Sequence, residues 1–280
     1  MKNFKKVIIA VLAFAMLLSL AACGSKKAAS ATDTPAASAA PSASAAPATF
    51  KTVEDGKLHM ATNAAFPPYE MVKDDGTYEG IDVEIATAIA QKLGLELVVD
   101  DMDFNSALLA PSAGKDDIIM AGLTVTDERK KNMDFTDSYA TGKQVIIVKE
   151  GSDIKTADDL ADKMIGTQEA TTGYIYCSAS VEDGGYGEDH VTAYTNGAMA
   201  VQSLVEGKVD CVVIDSQPAQ EYVKANKGLT ILETPFVTED YAIGVAKNNT
   251  ALLDAVNNAL KELIADGTVK SIVDKYIKAA

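Results

Sequence analysis

The sequence contains a single arginine, Arg129, among 25 basic residues. It lies in the stretch GLTVTDERKK, which predicts the end of a strand and the start of a short helix near Asp127. If Thr126 caps that helix, Arg129 falls in its first turn, where a cation is disfavoured unless an anion lies nearby. A guanidinium beside free amides can bind a carboxylate through two parallel hydrogen bonds. A salt bridge from Arg129 to Asp134 or Asp137 explains the residues equally well.

Two further polar segments follow predicted strands. Asp215 closes the stretch GKVDCVVID, so its carboxylate is expected at the carboxyl end of a buried strand. There it could bind an ammonium group, or simply cap the next helix. The segment Thr171-Thr172-Gly173 also follows a strand and opens a helix, so its hydroxyls and amides suit either an anion or capping alone.

Phe66 and Phe104 lie just past predicted strands, in loop-like contexts. Their rings could line an apolar slot, although the hydrophobic core is the ordinary position of a phenylalanine. Taken together, the candidates supply a cation with amides for a carboxylate, a carboxylate for an ammonium, and apolar rings between them. That combination matches a zwitterionic amino acid.

The elements that must position these residues alternate along the chain. Strands alternating with helices indicate βα units and mostly parallel sheets, and two runs of alternation indicate two lobes. Ligands of such sheets bind beyond the carboxyl ends of the strands. The predicted strands are 57–63, 95–99, 117–123, 143–148, 164–168, 191–194, 209–214 and 241–246. The predicted helices are 80–93, 104–112, 127–131, 157–162, 172–180, 198–206, 217–225, 251–265 and 269–277.

The first 22 residues have the pattern of a secretory signal peptide, with lysines followed by an apolar run that ends near Leu20. That run is shorter than the about 20 residues that a bilayer span needs. The sequence LAACG resembles a bacterial lipoprotein cleavage box, which implies a lipid on Cys23; an ordinary signal peptidase site is the alternative. Residues 23–49 are dominated by Ala, Ser, Pro and Thr, which predicts a disordered tether.

The formal net charge of −15 argues against nucleic acid and anionic lipid as partners. Cys177 and Cys211 could form a disulfide or remain buried thiols, and we slightly favour thiols. His59 and His190 have no metal-ligating residue three or four positions later in the chain, and there is no CxxC pair, so the spacing argues against a zinc site. We expect no metal, no cofactor and no catalytic residue.

The chain closely resembles the polar amino acid substrate-binding proteins of ABC transporters, from about Leu58 to the C-terminus. The matching stretches are ATNAAFPPYE, GTYEGIDVEIATAIAQKLG, AGLTVTDERKKNMDFTDSY, GKVDCVVID and ADGTVKSIVDKY, and the third is especially similar to glutamine-binding proteins. The resemblance implies an α/β, two-lobed periplasmic-binding-protein-like fold of type II. Each lobe would be a mixed, mostly parallel sheet flanked by helices. Lobe 1 would comprise 50–138 and 243–280, lobe 2 would comprise 144–237, and the two hinge strands would lie at about 139–143 and 238–242.

The resemblance also implies a role for each matching residue. Arg129 would bind the α-carboxylate of the ligand, helped by the Thr124 hydroxyl or amide and by Thr172 from across the cleft. Asp215 would bind the α-ammonium together with the carbonyl of Gly122. The two phenylalanines would hold the ligand side chain between their rings.

Two departures from the family bear on specificity, and a third concerns the loop in lobe 2. Asn63 stands where binders of basic amino acids, and glutamine binders too, carry aspartate, and Gln168 stands where glutamine binders carry lysine. A charged ligand side chain buried against two neutral amides would be costly, so we expect an uncharged side chain, polar rather than aliphatic. Ala170 replaces the glycine that is common in the lobe 2 loop, which makes the amide geometry of that loop less certain.

The implied function is that of a monomeric, lipid-anchored protein on the extracytoplasmic face of the cell membrane. It would capture a free L-amino acid by hinge closure and deliver it to the permease subunits of an ABC importer. The alternatives are a module that senses amino acids, or a dehydratase-like enzyme on the same fold. The second is disfavoured because no nucleophile–base pair is visible among the residues that the motifs place at the cleft.

Overall fold

A computed structural model describes residues 50–232 and 237–277 of the chain. The predicted signal peptide, the lipidation site and the tether lie outside the described residues. No helix among the described residues is both long enough and apolar enough to cross a membrane.

Strands and helices alternate through most of the described chain, which confirms the predicted α/β class. The strands are β1 (Lys57–Thr62), β2 (Ala65–Phe66), β3 (Glu70–Val72), β4 (Tyr78–Glu79), β5 (Glu96–Asp101), β6 (Ile118–Ile119), β7 (Met133–Lys149), β8 (Ile165–Gln168), β9 (Val191–Tyr194), β10 (Cys211–Asp215), β11 (Leu229–Ile231) and β12 (Val237–Ala246). The helices are α1 (Ile81–Leu93), α2 (Phe104–Leu109), α3 (Arg129–Asn132), α4 (Thr172–Ser178), α5 (Gly197–Glu206), α6 (Ser216–Ala225), α7 (Thr250–Ala265) and α8 (Thr268–Tyr276). Short 3₁₀ turns occur at Ala157–Leu160, Val181–Asp183 and Glu188–His190.

One nine-stranded sheet runs through the described chain in the order β5-β1-β6-β12-β7-β10-β8-β9, with β11 paired to β7. The strands at both ends of this order are parallel to their neighbours, whereas β12 and β7 pair antiparallel in the middle. A separate small sheet has the order β2-β3-β4. The carboxyl ends of β1, β8 and β10 are the strand ends that carry the predicted polar residues.

The strand predicted at 143–148 is only the last part of β7, which begins at Met133. Its first half reads MDFTDSYATG, a polar sequence without the apolar run that identifies a buried strand. Pairing with β12 holds that half extended, so tertiary hydrogen bonds replace the missing local signal. In contrast, the strand predicted at 117–123 is reduced to Ile118–Ile119, and the chain beyond it leads irregularly into the site.

Hydrophobic side chains pack on the sheet at both of its ends. Ile85 and Ile89 of α1 are fully buried with Leu260 of α7, as the four-residue spacing in α1 predicts. Toward the other end, Leu204 of α5 packs with Val212 of β10. Burial of each such side chain contributes roughly 1.5–3 kcal/mol to folding. The long strands β7 and β12 connect these cores, and the predicted lobe and hinge boundaries remain predictions.

Candidate functional site

A cavity with about 460 Å³ of empty space, some of it open to solvent, lies where the carboxyl ends of β1, β8 and β10 meet. All the residues predicted to bind ligand line it: Asn63, Phe66, Phe104, Gly122, Thr124, Arg129, Gln168, Thr172 and Asp215. Thr171, from the candidate segment Thr171-Thr172-Gly173, lines it too, and the sequence analysis missed five further lining residues, which are Glu70, Ala121, Gln144, Ile214 and Tyr241. The structure therefore brings together residues from distant parts of the chain.

The Arg129 guanidinium is buried at the edge of this cavity and is held in place by backbone carbonyls. Its Nη1 donates to the carbonyl oxygen of Thr124 at 2.8 Å, and its Nη2 donates to that of Ala170 at 3.1 Å. The carbon centre of the guanidinium lies 5.5 Å from the centroid of the Phe104 ring. Burial lowers the pKa of Arg129 to about 10, with the charge of Glu239 opposing the shift, so the group is cationic at neutral pH. Its remaining N–H groups are available to an anion.

The salt-bridge alternative for Arg129 is not what the structure shows. Asp134 pairs instead with Lys247 at 2.6 Å, and Asp137 pairs with Lys261 at 3.4 Å. Within the described ranges, Arg129 forms no ion pair. A buried cation without a counter-charge is unfavourable, and the carboxylate of a bound ligand could supply that counter-charge to Arg129.

Asp215 both caps a helix and faces the cavity. Its Oδ1 accepts a hydrogen bond from the backbone N–H of Gln217 at 3.2 Å, at the start of α6, and its Oδ2 accepts one from the Tyr241 hydroxyl. Burial raises the pKa of Asp215 to about 6, although the bonds from Tyr241 and Gln217 oppose this. The carboxylate is therefore mostly ionised at pH 7. The structure shows the helix-capping interpretation, and ammonium binding by this cavity-lining carboxylate stays a prediction.

Asn63 and Gln168 bond directly to each other. Gln168 Nε2 donates to Asn63 Oδ1 at 2.9 Å and to the carbonyl oxygen of Thr195 at 3.3 Å. Asn63 Nδ2 donates to the carbonyl oxygen of Met102 at 2.9 Å. These bonds use both Gln168 donors, so the pair presents mainly the Gln168 acceptor and one Asn63 N–H to the cavity.

In the loop before α4, Ala170 adopts a backbone conformation that suits glycine, the residue common at this position in the family. Ala170 has φ of 59°, in the left-handed region that costs L-residues about 1–2 kcal/mol. Thr171 is the N-cap of α4, and its hydroxyl oxygen accepts from the backbone N–H of Tyr174 at 3.2 Å. Thr172 is buried and lines the cavity, in the first turn of the helix. The uncertainty about this loop is therefore resolved in favour of a glycine-like turn.

Phe66 and Gly122 shape the apolar side of the cavity. Gly122 has φ of 54°, and a Cβ there would lie 2.6 Å from the ring of Phe66. Only glycine leaves room for that ring. The Gly122 N–H donates to Asp82 Oδ2 at 2.9 Å, and Thr124 donates its hydroxyl to Glu239 at 3.1 Å. The Thr124 hydroxyl proton is thus already engaged within the protein.

Glu70 is the most unusual residue that the sequence analysis missed. It is completely buried and lines the cavity. Burial, reinforced by the charge of Asp82, raises the pKa of Glu70 well above its ordinary value. This shift favours the protonated form of the carboxyl group, which can donate a hydrogen bond. The available signal in the sequence was its position directly after FPPY, where the two prolines predict a loop at the end of a strand.

The sequence profile of the bacterial extracellular solute-binding proteins, family 3, matches residues 58–279. A probable histidine-binding protein of Neisseria gonorrhoeae is 32% identical, with 98% of this chain and 96% of the relative covered. The L-cystine-binding protein TcyJ of Escherichia coli K12 is 31% identical, with 82% and 85% covered. A solved structure of an ancestral arginine-binding protein bound to glutamine is 38% identical with a TM-score of 0.74, covering 81% of this chain and all of that one.

These matches extend over nearly the whole described chain, and the similarity in fold accompanies substantial sequence identity. The type II binding-protein fold that the motifs implied is thereby confirmed. This chain belongs to family 3 of the bacterial extracellular solute-binding proteins.

Proposed function

We propose that this protein is the substrate-binding lipoprotein of an amino acid ABC importer. It captures a free L-amino acid in the cavity and delivers it to the permease subunits. The relatives described above are named for amino acids, and the ligand in the solved structure is glutamine. The lipid on Cys23 keeps the binding domain at the extracytoplasmic face of the membrane.

The observation that carries this proposal is the opposed charges in one small cavity. Arg129 is a buried cation without an ion pair among the described residues, and Asp215 is a buried carboxylate that is mostly ionised at neutral pH. An α-amino acid carries the complementary carboxylate and ammonium on adjacent atoms. Arg129 would bind the carboxylate with help from Thr172, and Asp215 would bind the ammonium with help from the carbonyl of Gly122. Arg129 and Asp215 would then each gain an opposite charge from the bound ligand.

The ligand side chain would extend between Phe66 and Phe104 toward the pair formed by Asn63 and Gln168. That pair is electrically neutral, so a charged side chain would lose its hydration without gaining a counter-charge. An amide or hydroxyl group could bond to the remaining Gln168 acceptor and Asn63 donor. We therefore propose an uncharged polar amino acid as substrate.

Hinge closure is the proposed means of capture, with the two lobes and the hinge strands divided as the family resemblance implies. In that division, several hydrogen bonds cross the cleft: Gln168 to Asn63, Arg129 to Ala170, and the Tyr222 hydroxyl to the carbonyl oxygen of Ala65 at 2.8 Å. Such contacts can exist only when the lobes are close. Ligand would favour the closed state because it bridges both sides.

The experiment that tests the function is calorimetric titration with the common amino acids, preceded by a thermal-shift screen, on wild type and on Arg129→Lys. Lysine keeps the charge but removes the planar fork, so we expect ligand affinity to fall about 10–150-fold, the equivalent of about 1.5–3 kcal/mol. Lys130→Arg, which makes the reverse exchange at the exposed neighbouring position, is the matched control. Full affinity in Arg129→Lys would refute the carboxylate clamp, and failure of every amino acid to bind wild type would refute the function.

The alternative roles make different predictions. A sensory protein would bind the same ligand but would also be recovered with a receptor rather than only with a permease. An enzyme would convert the bound compound, and Asp215→Asn would abolish that turnover. The site favours binding, because Arg129 and Asp215 are held by hydrogen bonds to the protein and are positioned to neutralise the two charges of a ligand.

A further inference from the structure

A second cluster of ionisable side chains lies away from the cavity. It consists of His59 on β1, Asp100 on β5 and Asp116 in the segment before β6. In the parallel pairing of β1 with β5, Ala61 is opposite Asp100 and His59 is opposite Val98. Side chains two positions apart share a face of the sheet, so the fold places His59 and Asp100 side by side. None of these three side chains lines the cavity described above.

The spacing within the cluster is that of ligands around one small ion. His59 Nδ1 lies 2.8 Å from Asp100 Oδ2, and one donor atom from each of the three residues lies within 4.8 Å of the others. Zinc binds imidazole nitrogen and carboxylate oxygen at about 2.0–2.2 Å, which places tetrahedral ligands about 3.4 Å apart. Small side-chain rotations are enough to surround an ion.

Asp116 supplies an independent sign of a missing partner. The residue is only 3% exposed, yet its Oδ1 has no hydrogen-bond partner in the part of the chain that the structure describes. A buried carboxylate oxygen beside a second carboxylate is unfavourable unless a cation joins them.

The neighbours complete the arrangement expected around a metal-bound histidine. His59 Nε2 faces Glu54 Oε2 at 3.4 Å, and Glu54 is itself paired with Lys57 at 2.6 Å. Histidines that bind metal usually donate their second ring N–H to such a carboxylate. Because Nε2 faces Glu54, Nδ1 of His59 is the nitrogen that faces the site. Asp117 is not available as a ligand, because its two oxygens accept hydrogen bonds from the backbone N–H groups of Val53 and His59 at 2.7 and 2.8 Å.

We propose that His59, Asp100 and Asp116 bind one divalent transition-metal ion of the zinc class, with water completing the coordination. One imidazole with two carboxylates suits zinc or cobalt better than calcium or magnesium, which take six or more oxygen ligands. The lack of a ligand three or four positions after either histidine argues only against a site built on one helix or turn. Here three separate segments contribute.

The test is calorimetric titration of the purified protein with zinc chloride, repeated with cobalt to record its visible absorption. We expect one ion per chain, with binding weakened at least about tenfold in His59→Gln and in Asp116→Asn. His190→Gln, the same substitution at the other histidine, is the matched control and should bind as wild type does. The half-exposed Asp100→Asn provides a third ligand variant that leaves the buried positions intact.

Amino acid binding, measured on every variant, reports whether the fold is preserved. Absence of saturable zinc binding by wild type would overturn the proposal. So would undiminished binding by the folded His59→Gln, Asp116→Asn or Asp100→Asn protein, or an equal loss in His190→Gln. Because the metal and amino acid titrations are separate, either proposal can fail without the other.

Discussion

Asn63→Asp is the substitution that most directly tests how this cavity selects its ligand. It restores the charge that binders of basic amino acids carry at this position. Asn63 lies at the end of β1, half-buried, where its Oδ1 accepts from Gln168 and its Nδ2 donates to Met102, both at 2.9 Å. Aspartate keeps the acceptor but loses the donor, so it adds one negative charge to the neutral pair.

The expected effect follows from those contacts. Loss of the bond to the Met102 carbonyl costs about 1–3 kcal/mol, but this cost applies to every ligand and cancels in a ratio of affinities. A ligand cation about 4 Å from the new carboxylate gains about 4 kcal/mol at an effective dielectric constant near 20. Desolvation of both charges offsets part of that gain. We expect a net preference of about 2 kcal/mol, a roughly 30-fold shift toward arginine or lysine relative to glutamine.

The assay is competition calorimetry with arginine, lysine and glutamine on wild type and variant. Asn258→Asp, on the exposed side of α7, adds the same charge away from the cavity and is the matched control. If the ratio of arginine to glutamine affinity in Asn63→Asp stays within about threefold of the wild-type ratio, the reasoning is refuted. The interaction between residue 63 and the ligand side chain would then be well below about 2 kcal/mol. An equal shift in Asn258→Asp would assign the effect to net charge.

Four further predictions concern Asp215, Ala170 and the two buried cysteines. Because burial raises the pKa of Asp215 to about 6, calorimetry should show ligand affinity falling about tenfold per pH unit below about pH 6, and Asp215→Asn should remove this slope. Without ligand the sign reverses: the stability contribution of neutral Asp215 is present below about pH 4 and lost as the pH rises through 6. Ala170→Gly should raise the melting temperature by about 1–3 °C, because relief of the left-handed backbone strain in the folded state exceeds the entropy that glycine adds to the unfolded chain. Ala88→Gly, inside α1, is the control and should lower the melting temperature. Cys177 and Cys211 are buried and their thiol pKa values are raised, that of Cys211 to about 12, so both should react with a thiol reagent only after unfolding.

Each of these has an outcome that contradicts it. Affinity that does not change between about pH 7 and pH 4.5 would show that the ligand ammonium does not depend on an ionised Asp215. A lower melting temperature for Ala170→Gly would show that the loop is not strained. Absence of both thiols in denaturant, by peptide mass, would show that Cys177 and Cys211 are joined as a disulfide.

Local patterns in the sequence were sufficient for most helices and strands. The four-residue spacing of Ile81, Ile85 and Ile89 defines the buried face of α1, and Gly94 ends the helix with φ of 72°. The polar residues after predicted strands also converge, because parallel strands present their carboxyl ends at one edge. What the patterns missed are elements stabilised by distant pairing, such as the first half of β7 and the small strands β2 to β4.

The sequence by itself determined the family, the α/β class and most of the residues that line the cavity, since short-range periodicity and motif order carry that information. Only the tertiary structure decided how those residues are paired. Asn63 and Gln168 are separated by 105 positions yet form a hydrogen bond with each other. Arg129 has no carboxylate partner among the described residues, because lysines pair with the two candidate aspartates. Likewise, the raised pKa of Glu70 depends on its complete burial. Hydrogen-bond partners and desolvation are set by packing between segments far apart in the chain, which no local pattern of residue types encodes.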